Sequence, residues 1–293
     1  MRPDSGEERK EMDQPENIVE QSENQIETST PVYSAPPVQS QDVPAEPAQL
    51  NWFQRFYGVL LAPGETFADV NRKPTIIVPL LIAIVLAVAG TMFFSWRVNP
   101  DWERFSREAI KKQEAKSGQT IPPEQAEAQV KGTIMVGKIF PLIAAAITPI
   151  SFCIYAGVLA LGMVLIQAKT TFKKILSVVL WSNCAISLVA VVVLAASLMA
   201  RDRESLNQIN PMEPGNITAT NLSIILPAGS SAAVKALAGS FDLFTIWVLI
   251  LVSIGLAAVA GSRKIKTSKT ATIVFGIWFI WILIGAGMAS LRG

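Results

Sequence analysis

Histidine is missing from all 293 residues. That removes the commonest general base and the commonest side-chain metal ligand, so schemes built on a catalytic imidazole are excluded. Cysteine is nearly missing too: Cys153 and Cys184 stand singly inside apolar runs, where thiols behave as small hydrophobes rather than as a disulfide framework. Charge is scarce, 16% of residues against about 25% in soluble globular chains. No glycine-rich loop precedes a lysine, no carboxylate pair lies in an apolar run, and no cluster has metal-ligand spacing. These gaps lead to the expectation of a non-enzyme that needs no cofactor and no metal.

What the chain does have is apolar surface, 51% of residues, gathered in long runs. A helix needs about 20 mostly apolar residues to cross the hydrocarbon. Five runs meet that, roughly 75–96, 139–167, 175–199, 241–261 and 271–290, and none has a charge at its centre. The fold expected is all-α: a polytopic membrane helix bundle with about five transmembrane helices and a disordered N-terminal tail. Residues 1–50 form the tail, 51–73 an amphipathic interfacial segment, and 74–293 the five-helix membrane domain. Pro141 and Pro149 lie in the second run, where an interfacial turn, a kink or a tilt is expected.

The tail holds eleven acidic and three basic residues and seven of the eighteen prolines. Its net charge is near −8 and that of the remainder near +10. With few large apolar side chains before Leu50, it cannot bury enough surface to offset the entropy of ordering. No short apolar core with a small-residue cleavage site opens the chain, so the first hydrophobic helix is expected to direct insertion. Compact basic connections, one with Lys169, Lys173 and Lys174 and the other with Arg263, Lys264, Lys266 and Lys269, belong in the cytoplasm by the positive-inside rule. That puts the N-terminus inside, although the 97–138 connection, with eight basic and six acidic residues, is then exported.

In residues 51–73, Trp52, Phe53, Phe56, Tyr57 and Leu60 recur at helical spacing, an apolar face with Arg55 off it. Asn51 and Gln54 have the spacing of a capping box, Pro63-Gly64 ends the first turns, and Phe67 and Val70 begin a second short helix. Such a segment lies in the membrane interface and either anchors the tail or offers a protein partner a platform. Trp52, Phe53, Phe56, Tyr57, Leu60, Pro63 and Phe67 are the candidate partner or membrane-interface residues.

The pattern Phe56, Leu60, Pro63 and Phe67 ahead of the first span resembles the membrane domain of the Ypt-interacting-protein (Yip) family. The likeness continues in five spans with a long second connection, in the run Phe241-Asp242-Leu243-Phe244-Thr245-Ile246-Trp247, in Gly255-Leu256 and in Ser262-Arg263-Lys264, and covers residues 51–293. It implies five helices and a cytoplasmic N-terminus and, in eukaryotic members, binding of small GTPases in vesicle traffic. The chain carries no endomembrane retrieval signal, so that activity is not transferred to it. A bacterial member in the inner (plasma) membrane is expected.

Polar side chains within the spans are few. Asp242, at the head of the fourth run, reads as a helix cap aided by Ser240 rather than as an ion path. Gln167, Asn183, Tyr155, Thr148 and Asp242 are the candidate polar intramembrane residues that would line a transport path. Small residues at four-residue spacing, such as Ala156 with Ala160 and Ser253 with Ala257, serve close packing within the bundle first, and a homo-oligomer stays open. The partners expected are the lipid bilayer and a cytoplasmic protein, with no nucleic acid, since the basic residues flank the membrane where anionic headgroups are the counterions. Two functions result: a membrane scaffold or adaptor, with a link to membrane traffic or organisation, and a small transporter or channel subunit. Polar side chains facing one cavity favour the second; polar side chains paired within dense packing favour the first.

Overall fold

A bilayer offers the backbone no hydrogen-bond partners, so an apolar crossing segment has to satisfy its N–H and C=O groups within its own helix. A computed structural model of the chain describes residues 50–209, 217–227, 229–261 and 265–292, and each apolar run takes that form. The tail up to residue 49 and the Ser262-Arg263-Lys264 stretch lie outside the described residues. Among the described residues there is no β-strand, only an isolated antiparallel bridge between Asn221 and Asp242.

Two short helices open the membrane domain, α1 (Trp52–Leu61) and α2 (Pro63–Arg72), followed by the first span α3 (Ile77–Val98). Next come α4 (Trp102–Ser117), α5 (Pro123–Leu165), α6 (Phe172–Met199), α7 (Arg203–Asn207), α8 (Ala232–Ser240), α9 (Leu243–Val259) and α10 (Thr267–Arg292). Four of these, α3, α5, α6 and α10, are long and apolar enough to cross a membrane. The fourth expected run differs: α9 has 17 residues, about 26 Å of helix against a hydrocarbon core of about 30 Å. It is shortened at one end because Asp242 is its N-cap and at the other because Gly261 turns left-handed, with φ +70°. A methyl group built on Gly261 would also stand 2.3 Å from the Lys169 carbonyl oxygen.

α5 corrects the second expected run in the opposite sense. It is continuous over 43 residues and passes through both Pro141 and Pro149, about 65 Å of helix and twice the hydrocarbon thickness. Its polar first third, with Glu124, Glu127 and Lys131, therefore projects beyond the membrane and packs against α4. Trp102 of α4 fills the notch at Gly137, where a methyl group would lie 2.4 Å from the indole.

α6 is the central helix, packed against α1, α2, α3, α5 and α9. Its residues Ile175 to Ser182 are buried without a break, the pattern of a helix surrounded by protein. α9 approaches it closely at Gly255, where a methyl group would stand 2.4 Å from Val178 Cγ1. The outer helices turn large apolar side chains such as Leu81, Leu142 and Ile284 to the surroundings, as a lipid-facing surface requires.

The connections gather at two ends. At one end lie α1, α2 and the two basic connections, which meet where the Lys169 N–H donates to the Ala260 carbonyl at 2.9 Å. At the other lie α4, the start of α5 and α7, tied by Arg97 donating to the Arg201 carbonyl and Arg104 to the Asn207 carbonyl, both at 2.7 Å. There Asp202 caps α7, and hydrogen bonds from the Ser205 side chain and backbone hold its carboxyl below the usual carboxylate range. In a chain carrying Cys153→Ser and Cys184→Ala, single cysteines from Glu65→Cys or Lys269→Cys are expected to react with an impermeant maleimide from one side of sealed vesicles. Lys112→Cys and Glu204→Cys should react only from the other. Labelling of all four from one side contradicts the two-ended arrangement.

Candidate functional site

α1 begins where Asn51 Oδ1 accepts from the Gln54 N–H at 2.8 Å and Gln54 Oε1 accepts from the Asn51 N–H at 2.9 Å, the capping box expected from the sequence. Pro63 then opens α2 at its first position, where a missing N–H costs nothing. The two helices touch at Gly58, where a methyl group would lie 2.5 Å from Thr66 Oγ1. One side of α1, with Arg55, Gly58 and Val59, is buried against the bundle, while Trp52, Phe53 and Tyr57 are exposed. The exposed rings form an edge-to-face series, Trp52–Phe53 at 5.8 Å and Phe53–Tyr57 at 5.4 Å between centroids.

The residue that turns α1 this way round is Arg55. Its side chain is 3% exposed and that of Asp69, on α2, 7%. Arg55 donates through Nε at 2.8 Å and Nη2 at 2.7 Å to the same Asp69 carboxylate oxygen. Its Nη1 donates to the Lys73 carbonyl at 3.0 Å and to Thr75 Oγ1 at 2.9 Å. Thr75 also accepts from Trp181 Nε1 at 3.1 Å, and its carbonyl accepts from Ser177 Oγ at 2.8 Å. One guanidinium thus ties α1, α2 and the α2–α3 connection together, and Thr75 fastens that connection to α6. A desolvated charge is tolerated only when its donors are met in this way.

The candidate interface residues divide. Trp52, Phe53 and Tyr57 face outward, Phe56 and Leu60 are half-buried and pack against the core, and Pro63 is half-buried at the start of α2. Phe67 is wholly buried against α9 beside Gly255, so it is a core anchor and not a surface residue. Arg55 does lie off the aromatic face, but in the protein interior. Asp69, Thr75, Ser177 and Trp181 are not among the sequence candidates; residues 51–73 carry Glu65 and Asp69 with Arg55, Arg72 and Lys73, and the sequence order alone singles out no one pair.

The polar intramembrane candidates divide as well. Asp242 is the N-cap of α9, accepting from the Phe244 N–H at 2.9 Å and the Thr245 N–H at 3.2 Å, and Thr220 donates to its second oxygen. Ser240 takes no part in the cap and donates to the Ala236 carbonyl. Gln167 is exposed in the turn after α5 with φ +56°, outside the span. Thr148 donates to the Ala144 carbonyl of its own helix. Asn183 and Tyr155, by contrast, line one cavity of about 580 Å³ between α5, α6, α9 and α10. Asn221 is buried and its side chain accepts from the Ser223 N–H in a local turn.

A family model described as the Yip1 domain matches residues 57–289. The chain is 26% identical to the membrane protein YknW of Bacillus subtilis over 238 residues, 81% of this chain and 92% of that protein. No solved structure matches it significantly. The matched region begins within α1 and takes in Asp69, Thr75 and all five apolar helices.

Asp69→Ala is expected to cost about 3–5 kcal/mol, because it strands a buried guanidinium. Arg55→Met combined with Asp69→Leu should recover most of that loss. Thermal unfolding of the purified protein checks both, and an unchanged midpoint for Asp69→Ala would contradict the role given to the pair.

Proposed function

The chain belongs to the Yip1 domain family, and from that premise we propose that it is an integral membrane scaffold or adaptor that recruits or organises a cytoplasmic protein at the bilayer surface. The observation that carries this reading is the mounting of α1: a buried ion pair holds it with Arg55 inward and Trp52, Phe53 and Tyr57 outward. A helix that only greases a tail to the membrane needs no such fixture. A helix that offers a partner rigid aromatic anchors gains from it, since fixed rings bind with less loss of side-chain freedom.

The reading is of a non-catalytic protein of a bacterial plasma membrane, with the platform end and its two basic connections in the cytoplasm. The similarity to the Bacillus subtilis membrane protein supports the bacterial setting, and the positive-inside rule supports the orientation. A link to membrane traffic or organisation belongs to the same proposal. A second reading, a small transporter or channel subunit, draws on Asn183 and Tyr155 lining one cavity. It is weakened by Asp242 and Gln167, which serve as a cap and a turn and do not face that space.

Removing residues 51–73 would also remove Arg55, Phe67 and Val70 from the core, so the test uses surface substitutions. The full chain and a Trp52→Ser, Phe53→Ser, Tyr57→Ser variant are purified from the native membrane in mild detergent, and co-purifying proteins are quantified by mass spectrometry. A stoichiometric cytoplasmic protein is expected with the wild type and its recovery should fall at least about tenfold with the variant, the effect of losing ~1.4 kcal/mol or more of anchor energy. If no protein co-purifies specifically with either form, the adaptor reading fails.

A further inference from the structure

The start of α9 lies deep in the bundle. The Thr270 hydroxyl of α10 donates to the Ser253 carbonyl at 2.7 Å, and Gly255 lies against Phe67 of α2, so the last turns of α9 stand beside the platform helices. From Ser253 back to Asp242 is eleven residues, only about 17 Å of a hydrocarbon core about 30 Å thick. A second measure agrees: the Phe241 ring meets Trp278 edge to face at 5.1 Å between centroids, and α10 runs on for fourteen residues beyond Trp278, about 21 Å further. A third comes from the far end. Ile217 is buried there with Val98 and Leu198, and its carbonyl accepts from Arg201. Thr220, whose hydroxyl donates to Asp242, follows three residues later, and three extended residues reach about 10 Å. The break between α8 and α9 therefore stands well inside the far face of the bundle.

Irregular backbone at such depth persists only where protein meets its polar groups, and here it does. Asp242 Oδ1 accepts from the Phe244 and Thr245 N–H groups. The Leu243 N–H donates to the Thr220 carbonyl at 3.1 Å, and the Leu222 N–H to the Phe241 carbonyl at 3.2 Å. The side chains around the break are those of a lipid-facing element. Leu222, Ile224 and Ile225 of the 3-10 turn Leu222–Ile225, Val234 of α8 and Leu243 of α9 are all exposed. α8 packs against α10, which beyond Trp278 turns Trp281, Ile284 and Met288 outward. Lys235 is the one charged residue among the described residues from 217 to 241, on a stem long enough to reach the headgroups.

We propose that the fourth crossing is a broken helix, completed from the far side by the 3-10 turn and α8, and that the exposed aliphatic face of this pair lies among the acyl chains of the far leaflet. The 17 residues of α9 then do not have to cross alone. Depth and continuity set the occupant: the face adjoins the outward side of α10, at a level where the bilayer holds hydrocarbon and not water. The hydrogen bonds around Asp242 and Thr220 keep the break closed at that level, so the segment is a membrane-inserted element and not an aqueous loop. A second copy of the chain seated on the same face is the alternative that the test separates from lipid.

The proposal does not depend on the adaptor reading. Its test places nitroxide labels on single cysteines, Ile225→Cys, Val234→Cys and Leu243→Cys, in the full chain carrying Cys153→Ser and Cys184→Ala, reconstituted in nanodiscs of dioleoylphosphatidylcholine. Ile284→Cys on α10 and Lys112→Cys on α4 are the lipid and water references. Collisions with oxygen should exceed collisions with a water-soluble nickel chelate at all three sites, and Leu243→Cys, beside the break, should match Ile284→Cys. Collisions with the chelate should be at least about tenfold rarer than at Lys112→Cys, the exclusion expected of a polar solute from hydrocarbon. Chelate collisions as frequent as at Lys112→Cys overturn the proposal, because the segment then lies in water. Labels shielded from both oxygen and the chelate overturn it as well, and spin–spin broadening between chains would then assign the face to a second copy.

Discussion

The way α1 and α2 are seated on the membrane domain turns on one buried ion pair. A guanidinium held away from water has to have its donors met, and Arg55 meets them with Asp69, the Lys73 carbonyl and Thr75. Those partners lie on α2 and on the connection leading to α3, so α1 cannot roll or lift without stranding a charge. Thr75 carries the constraint inward, through Ser177 and Trp181, to the helix at the centre of the bundle. Phe67 adds an apolar peg from α2 against α9. The exposed aromatic series on α1 is therefore presented in one orientation, set by the interior rather than by the bilayer.

The spans were legible because hydropathy over about 20 residues is a physical demand of the bilayer. The first run, 75–96, became Ile77–Val98 and the third, 175–199, became Phe172–Met199. Hydropathy reported less well where a helix continues outside the lipid. The polar start of α5 carries no apolar signal, so a continuous helix from Pro123 was seen only from residue 139 onward. In the fourth run the apolar residues extend past the helix at both ends, because Asp242 and Gly261 set its caps.

The platform was half legible. Local features, the Asn51–Gln54 capping box and the Pro63 break, can be read from neighbouring residues. Which side of α1 turns inward cannot, because the Asp69 that draws Arg55 inward lies fourteen residues away on another helix. The same limit applies to Phe67, apolar like its neighbours but buried, and to Gln167, which follows an apolar run yet sits in a left-handed turn. Asn183 and Tyr155 were picked out for polarity alone; their meeting in one cavity follows from the packing of α5 beside α6. α6 serves both regions: Ser177 and Trp181 hold the platform, and Asn183 lines the cavity within the next turn.

The central claim is that α1 and α2 are a fixed part of the bundle and not an interfacial helix resting on the membrane. Hydrogen–deuterium exchange of the intact protein in nanodiscs tests it most directly, by comparing backbone protection in residues 52–72 with that in 175–186 of α6. The account predicts protection of the inner side of α1 and of α2 that persists for as long as that of α6. Exchange of 52–72 within seconds, while α6 stays protected, would contradict it.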